Sequence, residues 1–426
     1  MDYHIRPGTP GDSDQMLETL AGAFAYALSP DSPAAQRIRE DVMQAPEAYR
    51  VMISNGRLIS LLRIVATPIQ VGRCVVLKAD VGHVAVRPQL QGQGIGTTLM
   101  QETVRWLRGE GYHLSRLGGL TKFYSRFGYE PFVRRFVEFP VREKHGGARK
   151  IPPVEAYPAP TGFEGRLRPF DEARDYEARA RLAHSFYMGR SGASPISLPD
   201  GPPVSPSPAD PEALDFVYEL GGDMKGFLLA RHDPHESSEH EIAYSVSDFA
   251  YAPEYPQAAG LLFQQLFARV APHAPARIIS RLPYDEQLAA ALQQWGIGFD
   301  RREMHQAVAA NMIQVLNLPK ILLDVAPELT GRMADSPLAD WCGTLRFELP
   351  AQTAELALPG GDVAPGDDAK AEFVLNMSQS EFVKLLFGII SFEESICVRE
   401  GHLDAGQRAV ASTLFPRCAT GSGPWG

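Results

Sequence analysis

Three glycines within five residues suggest an anion-binding loop. Gly92, Gly94 and Gly96 stand in the segment VAVRPQLQGQGIGTTLM, between a short apolar alternation and the predicted start of a helix. The first N–H groups of a helix have no partner within the helix, and the helix dipole adds partial positive charge at that end. Glycine also lets a ligand approach the backbone closely. The spacing therefore predicts a site for a phosphate-bearing ligand at this strand-to-helix junction.

Two nucleotide-binding patterns fit this loop poorly. No Lys-Ser/Thr pair follows the glycines, as the Walker pattern requires. The dinucleotide pattern GxGxxG would need a third glycine at Thr97, and no clear βαβ unit with a ribose-binding acid follows. The better description is V-x-P-x-x-Q-x-x-G-x-G, carried by Val86, Pro88, Gln91, Gly94 and Gly96.

A second stretch, FYSRFGYEPF, contains a candidate acid. It runs from Phe123 to Phe132 and has the pattern FYxxFGY. Most of its aromatic residues are expected to pack in a core. Both stretches resemble the GCN5-related acetyltransferases, in which the glycine loop binds the pyrophosphate of acyl-CoA. In that family the tyrosine beside the acyl-CoA sulfur can protonate the leaving thiolate, and the resemblance assigns this role to Tyr124.

The resemblance implies acetyl-CoA as co-substrate and a direct transfer to an amine, without a covalent enzyme intermediate. The family's usual oxyanion donor is a backbone N–H in the strand that here spans 84–86. The cofactor-binding residues implied by the resemblance are Val84, Ala85, Val86, Gln91, Gly92, Gln93, Gly94, Ile95, Gly96 and Thr97. Gln91 stands where the family commonly has arginine, so we expect the loop to bind through its backbone N–H groups, with one charge fewer.

The elements around these residues alternate between strands and helices. YHIRPG predicts a strand, and DSDQMLETLAGAFAYAL predicts a helix capped by Asp12 or Ser13. Asn55-Gly56 predicts the turn of a hairpin. CVVLKADVGHVAV predicts a long strand leading into the loop, and an amphipathic helix follows the loop. The mixture predicts an α/β layer fold.

A second segment, about 162–300, repeats this order of elements. FVYELGGDMKGFLLARHD predicts a hairpin, and the segment from IAYSVSD to LFARV predicts a strand, a turn and a helix. In its turn, however, Pro256, Ala259 and Leu261 take the places of Gln91 and the last two loop glycines. Leucine and proline cannot replace glycine or supply the N–H donor there. We therefore predict a second acetyltransferase fold that binds no cofactor.

The whole chain resembles the Eis-type (enhanced intracellular survival) acetyltransferases of bacteria. We predict domains at 1–150, 160–302 and 303–426, the last with short strands around one strong helix capped by Ser378 and Glu381. The third domain is similar to the sterol-carrier-like fold. The resemblance implies two α/β acetyltransferase folds with mixed sheets, followed by an α+β sterol-carrier-like domain, assembled as a homo-hexamer. It also implies primary amines of polycationic acceptors as substrates, in aminoglycoside-like small molecules or lysine side chains.

Two candidates for the general base stay open. A lysine-like amine has a pKa of about 10.4 and must lose a proton before it attacks. His83 lies one residue before Val84 and has an ordinary pKa near neutrality. The other candidate is the terminal carboxylate of Gly426, because the resembling family commonly brings the carboxylate of its last, aromatic residue into the active site. Here Trp425 precedes a final glycine.

The charge of the chain limits its partners. The net charge of −10 argues against a nucleic-acid binder. An early group of acidic residues suggests a pocket that attracts cationic amines and could be lined by Phe24 and Tyr26. This acidic group comprises Asp12, Asp14, Asp31 and Glu40.

Cysteine use and apolar patterning bear on location. Four cysteines without a CxxC pair or a His/Cys cluster predict no metal site and suggest reduced thiols of a cytoplasmic protein. The longest apolar stretch, FVKLLFGIISF, is too short to cross a bilayer, and the N-terminus lacks a signal pattern.

An alternative class is a lipid or hydrophobic-ligand binding protein that acts through its third domain. The acetyltransferase folds would then be a scaffold. The intact loop and Tyr124 lie in one domain, whereas the second copy has lost its loop. Because a scaffold would be expected to lose both, the sequence favours the enzyme.

Overall fold

The computed structural model describes residues 2–24, 33–141, 165–196, 214–234, 236–280, 286–366, 371–395, 403–418 and 420. The helices in these ranges are α1 (Ser13–Ala23), α2 (Pro33–Gln44), α3 (Ile95–Gly109), α4 (Thr121–Tyr124), α5 (Glu172–Tyr187), α6 (Gln257–Val270), α7 (Glu286–Gln294), α8 (Leu318–Ala334), α9 (Gln379–Leu386) and α10 (Ala405–Leu414). The strands are β1 (His4–Pro7), β2 (Tyr49–Ser54), β3 (Arg57–Val71), β4 (Cys74–Val86), β5 (Leu114–Leu120), β6 (Glu130–Pro131), β7 (Arg134–Val141), β8 (Arg166–Pro169), β9 (Phe216–Leu220), β10 (Asp223–His232), β11 (Ile242–Tyr251), β12 (Ala276–Ser280), β13 (Asp300–Met304), β14 (Ala309–Val315), β15 (Gly343–Leu349), β16 (Gln352–Leu358), β17 (Asp362–Pro365) and β18 (Phe373–Asn376).

The first sheet has seven strands in the order β1-β2-β3-β4-β5-β14-β6. Its neighbours are antiparallel except for β4 and β5, which are parallel. The β2–β3 hairpin turns at Asn55 and Gly56, which both have positive φ, 49° and 72°. This confirms the predicted turn, because two left-handed residues give a turn whose twist matches that of the strands.

The second sheet repeats the same order, as β8-β9-β10-β11-β12 followed by β7 and β13. Again only the fourth and fifth strands, β11 and β12, are parallel. An Arg–Asp ion pair near the start of each unit is also repeated. Arg6 in β1 binds the Asp12 carboxylate at 2.7 and 2.9 Å, and Arg168 in β8 binds Asp175 at 2.6 and 2.8 Å. The chain is thus built on mixed sheets in tandem α/β units.

The two sheets exchange strands. β14 follows the second unit in sequence but pairs with β5 and β6 in the first sheet. Conversely, β7 follows the first unit but pairs with β12 and β13 in the second sheet. Strand pairing therefore crosses both boundaries predicted near 150 and 302, and each unit completes its sheet with a strand from the neighbouring part of the chain.

A third unit follows, with the four-stranded sheet β17-β16-β15-β18. Its helices α8, α9 and α10 share a core with this sheet, and Phe347, Phe382 and Phe415 in that core are fully buried. The same core takes in Ile69 and Val76 from the β3–β4 hairpin of the first unit. The third unit is therefore packed directly against the first sheet. Its sterol-carrier-like identity stays a prediction.

Candidate active site

A gap opens in the first sheet where β4 and β5 separate. Their parallel pairing ends at Val81 and Leu117, whereas β4 continues to Val86 along β3. Arg87 donates its backbone N–H to the carbonyl of Ile59 in β3. Because successive N–H groups of a strand point to opposite sides, the N–H groups of Val84 and Val86 turn towards the gap. They are available to a ligand that enters between the two strands.

The N–H group of Ala85, between these two residues, points away from the gap and towards β3. Ala85 pairs with Leu61 of β3 and is buried against the residues of α1. The sequence grouped 84–86 as one cofactor-binding strand. In the structure, Val84 and Val86 border the gap while Ala85 anchors the strand.

The glycine loop lies directly beyond this strand. Gly92 and Gly94 are left-handed, with φ of 76° and 83°, and a Cβ at either position would meet no atom within 4 Å. Gly94 is the N-cap of α3, and no acidic residue stands in the first turn of that helix. The N–H groups of Ile95, Gly96 and Thr97 therefore belong to an open, positively polarised helix end. These features suit the pyrophosphate of acetyl-CoA.

The remaining loop residues shape the entrance to the gap. Gly96 packs closely, because a Cβ there would lie 3.3 Å from a methyl carbon of Val86. The side-chain amide of Gln91 donates to the Val86 carbonyl at 3.2 Å, and the amide of Gln93 donates to Gln89 at 3.4 Å. The side chain of Gln91 thus lies at the open end of the gap, where it binds the Val86 carbonyl that points into the gap.

Tyr124 ends α4 on the β5 side of the gap. Its ring lies on Gly119 of β5 so closely that a Cβ there would be 2.3 Å from the ring. Phe123 contacts the ring edge-on at 4.9 Å between centroids. The Tyr124 hydroxyl makes no hydrogen bond to the residues that the structure describes. The position of this ring thus depends on a glycine in β5, and its hydroxyl can serve a ligand.

Burial raises the pKa of Tyr124 to about 12. The phenol is therefore protonated at any physiological pH. A thiol has a pKa of about 8.5, so complete proton transfer from this phenol to a thiolate is uphill. The geometry suits a hydrogen bond from Tyr124 to a sulfur that gains negative charge.

The two faces of the first sheet differ. On one face α3 covers Ala79 and Val81 of β4. On the other face, α1 and α2 cover one end of the sheet and α8 covers the other end. Between these ends lie polar residues, among them Lys78, Asp80 and Arg116. This polar strip lies on the face opposite α3, on the two strands that border the gap.

His83 lies at the edge of this strip, in an irregular part of β4 with a φ of 51°. Its Nδ1 is 3.0 Å from the hydroxyl of Tyr49, which is fully buried. Burial first, and then Arg63, lower the pKa of His83. The imidazole is therefore neutral at physiological pH. It can accept a proton on Nε2 only in the tautomer in which Nδ1–H donates to Tyr49.

The remaining site residues predicted from the sequence are Phe24, Tyr26 and Gly426. Phe24 ends α1 and packs, half-buried, on the core under that helix. Tyr26 and Gly426 lie outside the described residues. The last described residue, Thr420, bridges to Ser191, whose hydroxyl accepts the N–H of Gly72 at the tip of the β3–β4 hairpin. Thr420 thus lies beside the second unit, next to the tip of the β3–β4 hairpin.

The early acidic residues do not form a common pocket among the described residues. Asp12 is buried, and Arg6 holds the pKa of that carboxyl well below its usual range. It also accepts hydrogen bonds from Thr9, so it stabilises the start of α1 and does not face an acceptor. Asp14 and Glu40 are exposed on α1 and α2, and Asp31 lies outside the described residues.

The matching junction in the second unit is filled. β11 ends at Tyr251, which is fully buried, and α6 begins directly after Pro256. Ala259 and Leu261, at the positions of the lost glycines, are buried in the core of this unit. This junction is therefore packed with side chains, and the absence of cofactor binding by the second unit stays a prediction.

Sequence reasoning missed Arg126, although it lies within the quoted FYSRFGY stretch. Its guanidinium packs over Phe123 at 4.8 Å, and Nη2 lies 3.4 Å from Thr97 Oγ1 in the first turn of α3. A cation at the positive end of a helix is unfavourable unless an anion binds there as well. Arg126 thus supplies a positive charge beside the loop in which Gln91 stands in place of arginine.

We expect Arg126→Gln to weaken acetyl-CoA binding about tenfold, the loss of one charge-assisted hydrogen bond. Calorimetry of acetyl-CoA binding at two salt concentrations would measure both the loss and a smaller salt dependence. Arg105→Gln is the matched control, because Arg105 is exposed on α3 and binds Glu102. Equal affinity in both variants would remove Arg126 from the cofactor site.

Two structural features bear on cofactors and membranes. No group of three or more His, Cys, Asp or Glu side chains placed to hold a metal ion occurs in the described ranges. Nor does any helix described there have the length and apolar character needed to cross a membrane.

Residues 4–132 match the family described as an acetyltransferase (GNAT) domain. This span contains the gap, the glycine loop and Tyr124. The chain thus carries an acetyltransferase domain and is an acyltransferase, and GNAT domains use acetyl-CoA. No curated protein matches the chain significantly.

Solved structures resemble nearly the whole chain. A probable N-acyltransferase from Enterococcus faecalis V583 has a TM-score of 0.65 at 14% identity, over 99% of this chain and 98% of its own. A GCN5-related N-acetyltransferase from Kribbella flavida has a TM-score of 0.62 at 17% identity, over 98% and 99%. Eis1 from Mycobacterium abscessus has a TM-score of 0.57 at 14% identity, over 98% of each chain. At these identities the likeness shows the fold alone.

Proposed function

We propose that the protein transfers the acetyl group of acetyl-CoA to a primary amine by direct attack. One arrangement carries the proposal: the gap between β4 and β5, with an open helix end on one side and Tyr124 on the other. An anion site, backbone donors and a proton donor thereby surround one cleft. The proposed acceptor is a small molecule or a lysine side chain, and the resemblance makes a polycationic one, such as an aminoglycoside, the first to test.

The residues of this chain would divide the reaction between them. Ile95, Gly96 and Thr97 would hold the pyrophosphate through their N–H groups. The N–H of Val84 or Val86 would stabilise the oxyanion that forms when the amine attacks the thioester carbonyl. Tyr124 would donate a hydrogen bond to the departing sulfur. The C–N bond forms as the C–S bond breaks, and the amine proton must pass to a base.

For the base we propose the terminal carboxylate of Gly426, with His83 as the competing candidate. This choice rests on the resemblance alone, since the bridge of Thr420 to Ser191 lies beside the tip of the β3–β4 hairpin, at the end of β4 away from the gap. His83 is the less available candidate, because its Nδ1 is held at 3.0 Å by the hydroxyl of the buried Tyr49.

Deleting Trp425 and Gly426 is therefore expected to lower kcat at least tenfold without a loss of thermal stability, because the proton acceptor is removed. His83→Ala should cost less than about threefold. Steady-state kinetics and thermal unfolding of both variants provide the measurement. The reverse ranking would move the base to His83 and leave the tail without a catalytic role.

The remaining features of the proposal come from the resemblance. We propose a cytoplasmic homo-hexamer, a sterol-carrier-like third unit, and contact of Phe24 and Tyr26 with the acceptor. Phe24 is suitably placed, since it ends α1, and a Cβ on the preceding turn at Gly22 would lie 3.1 Å from Pro88 of the loop. Lipid binding by the third unit has no comparable support, because its core is filled by buried side chains.

Acetyl-CoA turnover with a panel of amines tests the proposed function. The panel contains a polyamine, an aminoglycoside, a lysine peptide and simple amines, and release of the CoA thiol is followed. We expect amine-dependent thiol release together with an acetylated amine product detected by mass spectrometry. Binding of acetyl-CoA without turnover on any amine would contradict the proposal.

A further inference from the structure

Two glycines border the gap on the face of the first sheet opposite α3. Gly82 in β4 and Gly118 in β5 lie two residues beyond the directly opposed pair Asp80 and Arg116. Because side chains alternate along a strand, all four positions face away from α3, which covers Val81 on the other face. Gly82 and Gly118 thus form the first row of this face after β4 and β5 have separated.

The fold does not require glycine at either position. Neither Gly82 nor Gly118 is left-handed, and a Cβ built on either would meet no described atom within 4 Å. The left-handed residue in the irregular part of β4 is His83. Gly119, by contrast, is covered by the ring of Tyr124, which lies 2.3 Å from the position of a Cβ. Because glycine weakens a strand, a glycine that neither a turn nor packing demands indicates the close approach of a ligand.

The space over these two glycines is open and lies away from the proposed pyrophosphate site. That site is the start of α3, which packs on the opposite face of the sheet. Gly118 is exposed and Gly82 is half-buried, so solvent reaches this row. Lys78 lies four residues before Gly82 in β4, about 13 Å away, and therefore does not block the approach. An amine can reach the gap here from a direction that acetyl-CoA leaves free.

Apolar surface adjoins the row on the side of β5. Leu120 lies two residues beyond Gly118 on the same face and is 60% exposed, and its partner Ala309 in β14 is also exposed. On the side of β4, Arg63 is bound by Asp41 at 2.6 Å. A hydrocarbon group would gain burial against Leu120. These surroundings favour recognition of an acceptor by its shape and its apolar surface.

We infer that Gly82 and Gly118 form the floor of the acceptor site and admit primary amines attached to a branched or ring carbon. The inference rests on the proposed function and narrows its acceptor. An amine at the end of an unbranched chain needs little width beside the nitrogen. A branched or ring carbon places further carbon atoms on both sides, where a Cβ on β4 or β5 would stand. The two glycines thus determine specificity, while Val84, Val86 and Tyr124 act on the reacting atoms.

A matched pair of amines with equal numbers of carbon atoms tests the width of the site. Cyclohexylamine carries its nitrogen on a ring carbon, and n-hexylamine carries it at the end of an unbranched chain. We expect the native chain to use both, with kcat/KM values within about threefold of each other. Gly118→Val should lower kcat/KM at least about tenfold for cyclohexylamine but less than about threefold for n-hexylamine, because its methyl groups fill the open space. Gly82→Ala should shift the ratio in the same direction by a smaller factor.

Gly109→Val is the matched control. Gly109 is not left-handed and also has open space for a Cβ, but it is exposed at the end of α3, away from the gap. This variant should leave the ratio of the two amines unchanged. The variants at Gly82, Gly118 and Gly109 should all keep their thermal stability and their affinity for acetyl-CoA in calorimetry, since none of these positions needs glycine for the fold.

Three outcomes would overturn the inference. Two of them leave the proposed function intact: a ratio that survives both Gly118→Val and Gly82→Ala, and a native chain that acetylates amines on unbranched chains but not cyclohexylamine. The third is a loss of acetyl-CoA affinity in these variants as large as their loss of turnover, which would place the glycines in the cofactor site. If the native chain binds acetyl-CoA but acetylates no amine, the proposed function fails and the inference fails with it.

Discussion

Gly94→Glu is expected to abolish acetyl-CoA binding while the protein stays folded. Gly94 caps α3 with a φ of 83°, and a Cβ there enters open space beside the loop. A glutamate would carry its carboxylate towards the position proposed for the pyrophosphate. Two unit charges about 4 Å apart near a protein surface repel by about 4 kcal/mol, which corresponds to an affinity loss of about a thousandfold.

Gly56→Glu is the matched control for this prediction. Gly56 has a similar φ, 72°, and a Cβ there also meets nothing within 4 Å, but it lies in the β2–β3 turn. Both substitutions should lower the free energy of unfolding by about 1 to 2 kcal/mol, because each places a side chain in the left-handed region. Only Gly94→Glu should lose binding in calorimetry. Equal affinity in the two variants would show that the loop does not hold the cofactor.

The local features of the site could be predicted from the sequence because each depends on a few consecutive residues. The Asn55-Gly56 turn and the glycine cap of α3 are fixed by the conformations that those residues adopt without cost. The gap could not be predicted in this way, because its position and the direction of its N–H groups depend on where β4 leaves β5.

The strand exchange could not be predicted from local pattern. β14 and β7 are short segments of seven and eight residues, and nothing in their residues specifies which sheet they join. Their partners lie far away in the sequence, so pairing is decided by the assembly of both sheets. Neighbouring elements of the sequence usually pair with each other, and this exchange departs from that arrangement.

Which charged side chains lie together near the site also could not be predicted from the sequence. The early acidic residues suggested an acceptor pocket, but Asp12 is held by Arg6 at the start of α1. Lys78 and Arg116 come together only because β4 and β5 pair in one register that puts both side chains on the same face. A shift of one residue would turn one of them to the α3 side. The placement of these charged side chains is therefore set by strand register, which proximity in the sequence does not show.

Tyr124→Phe is expected to lower kcat about 100-fold or more, within the range of about 10² to 10³ for loss of one hydrogen-bond donor to a charge that develops in the transition state. The affinity for acetyl-CoA should change less than twofold, because the ring on Gly119 and its contact with Phe123 are kept. Stopped-flow or steady-state kinetics, together with calorimetry, separate the two effects.

Tyr129→Phe is the neighbouring control, since the two rings are 6.4 Å apart but the Tyr129 hydroxyl is hydrogen-bonded to Ser115 at 2.6 Å. It should lower thermal stability and leave kcat nearly unchanged. The pH profile gives an independent test. Because the pKa of Tyr124 is about 12, the phenol keeps its proton throughout the assay range, and its ionisation should cause no alkaline loss of kcat up to about pH 10. A native rate in Tyr124→Phe, or an equal loss in Tyr129→Phe, would mean that Tyr124 is one more aromatic residue of the core and that another group must assist the departing sulfur.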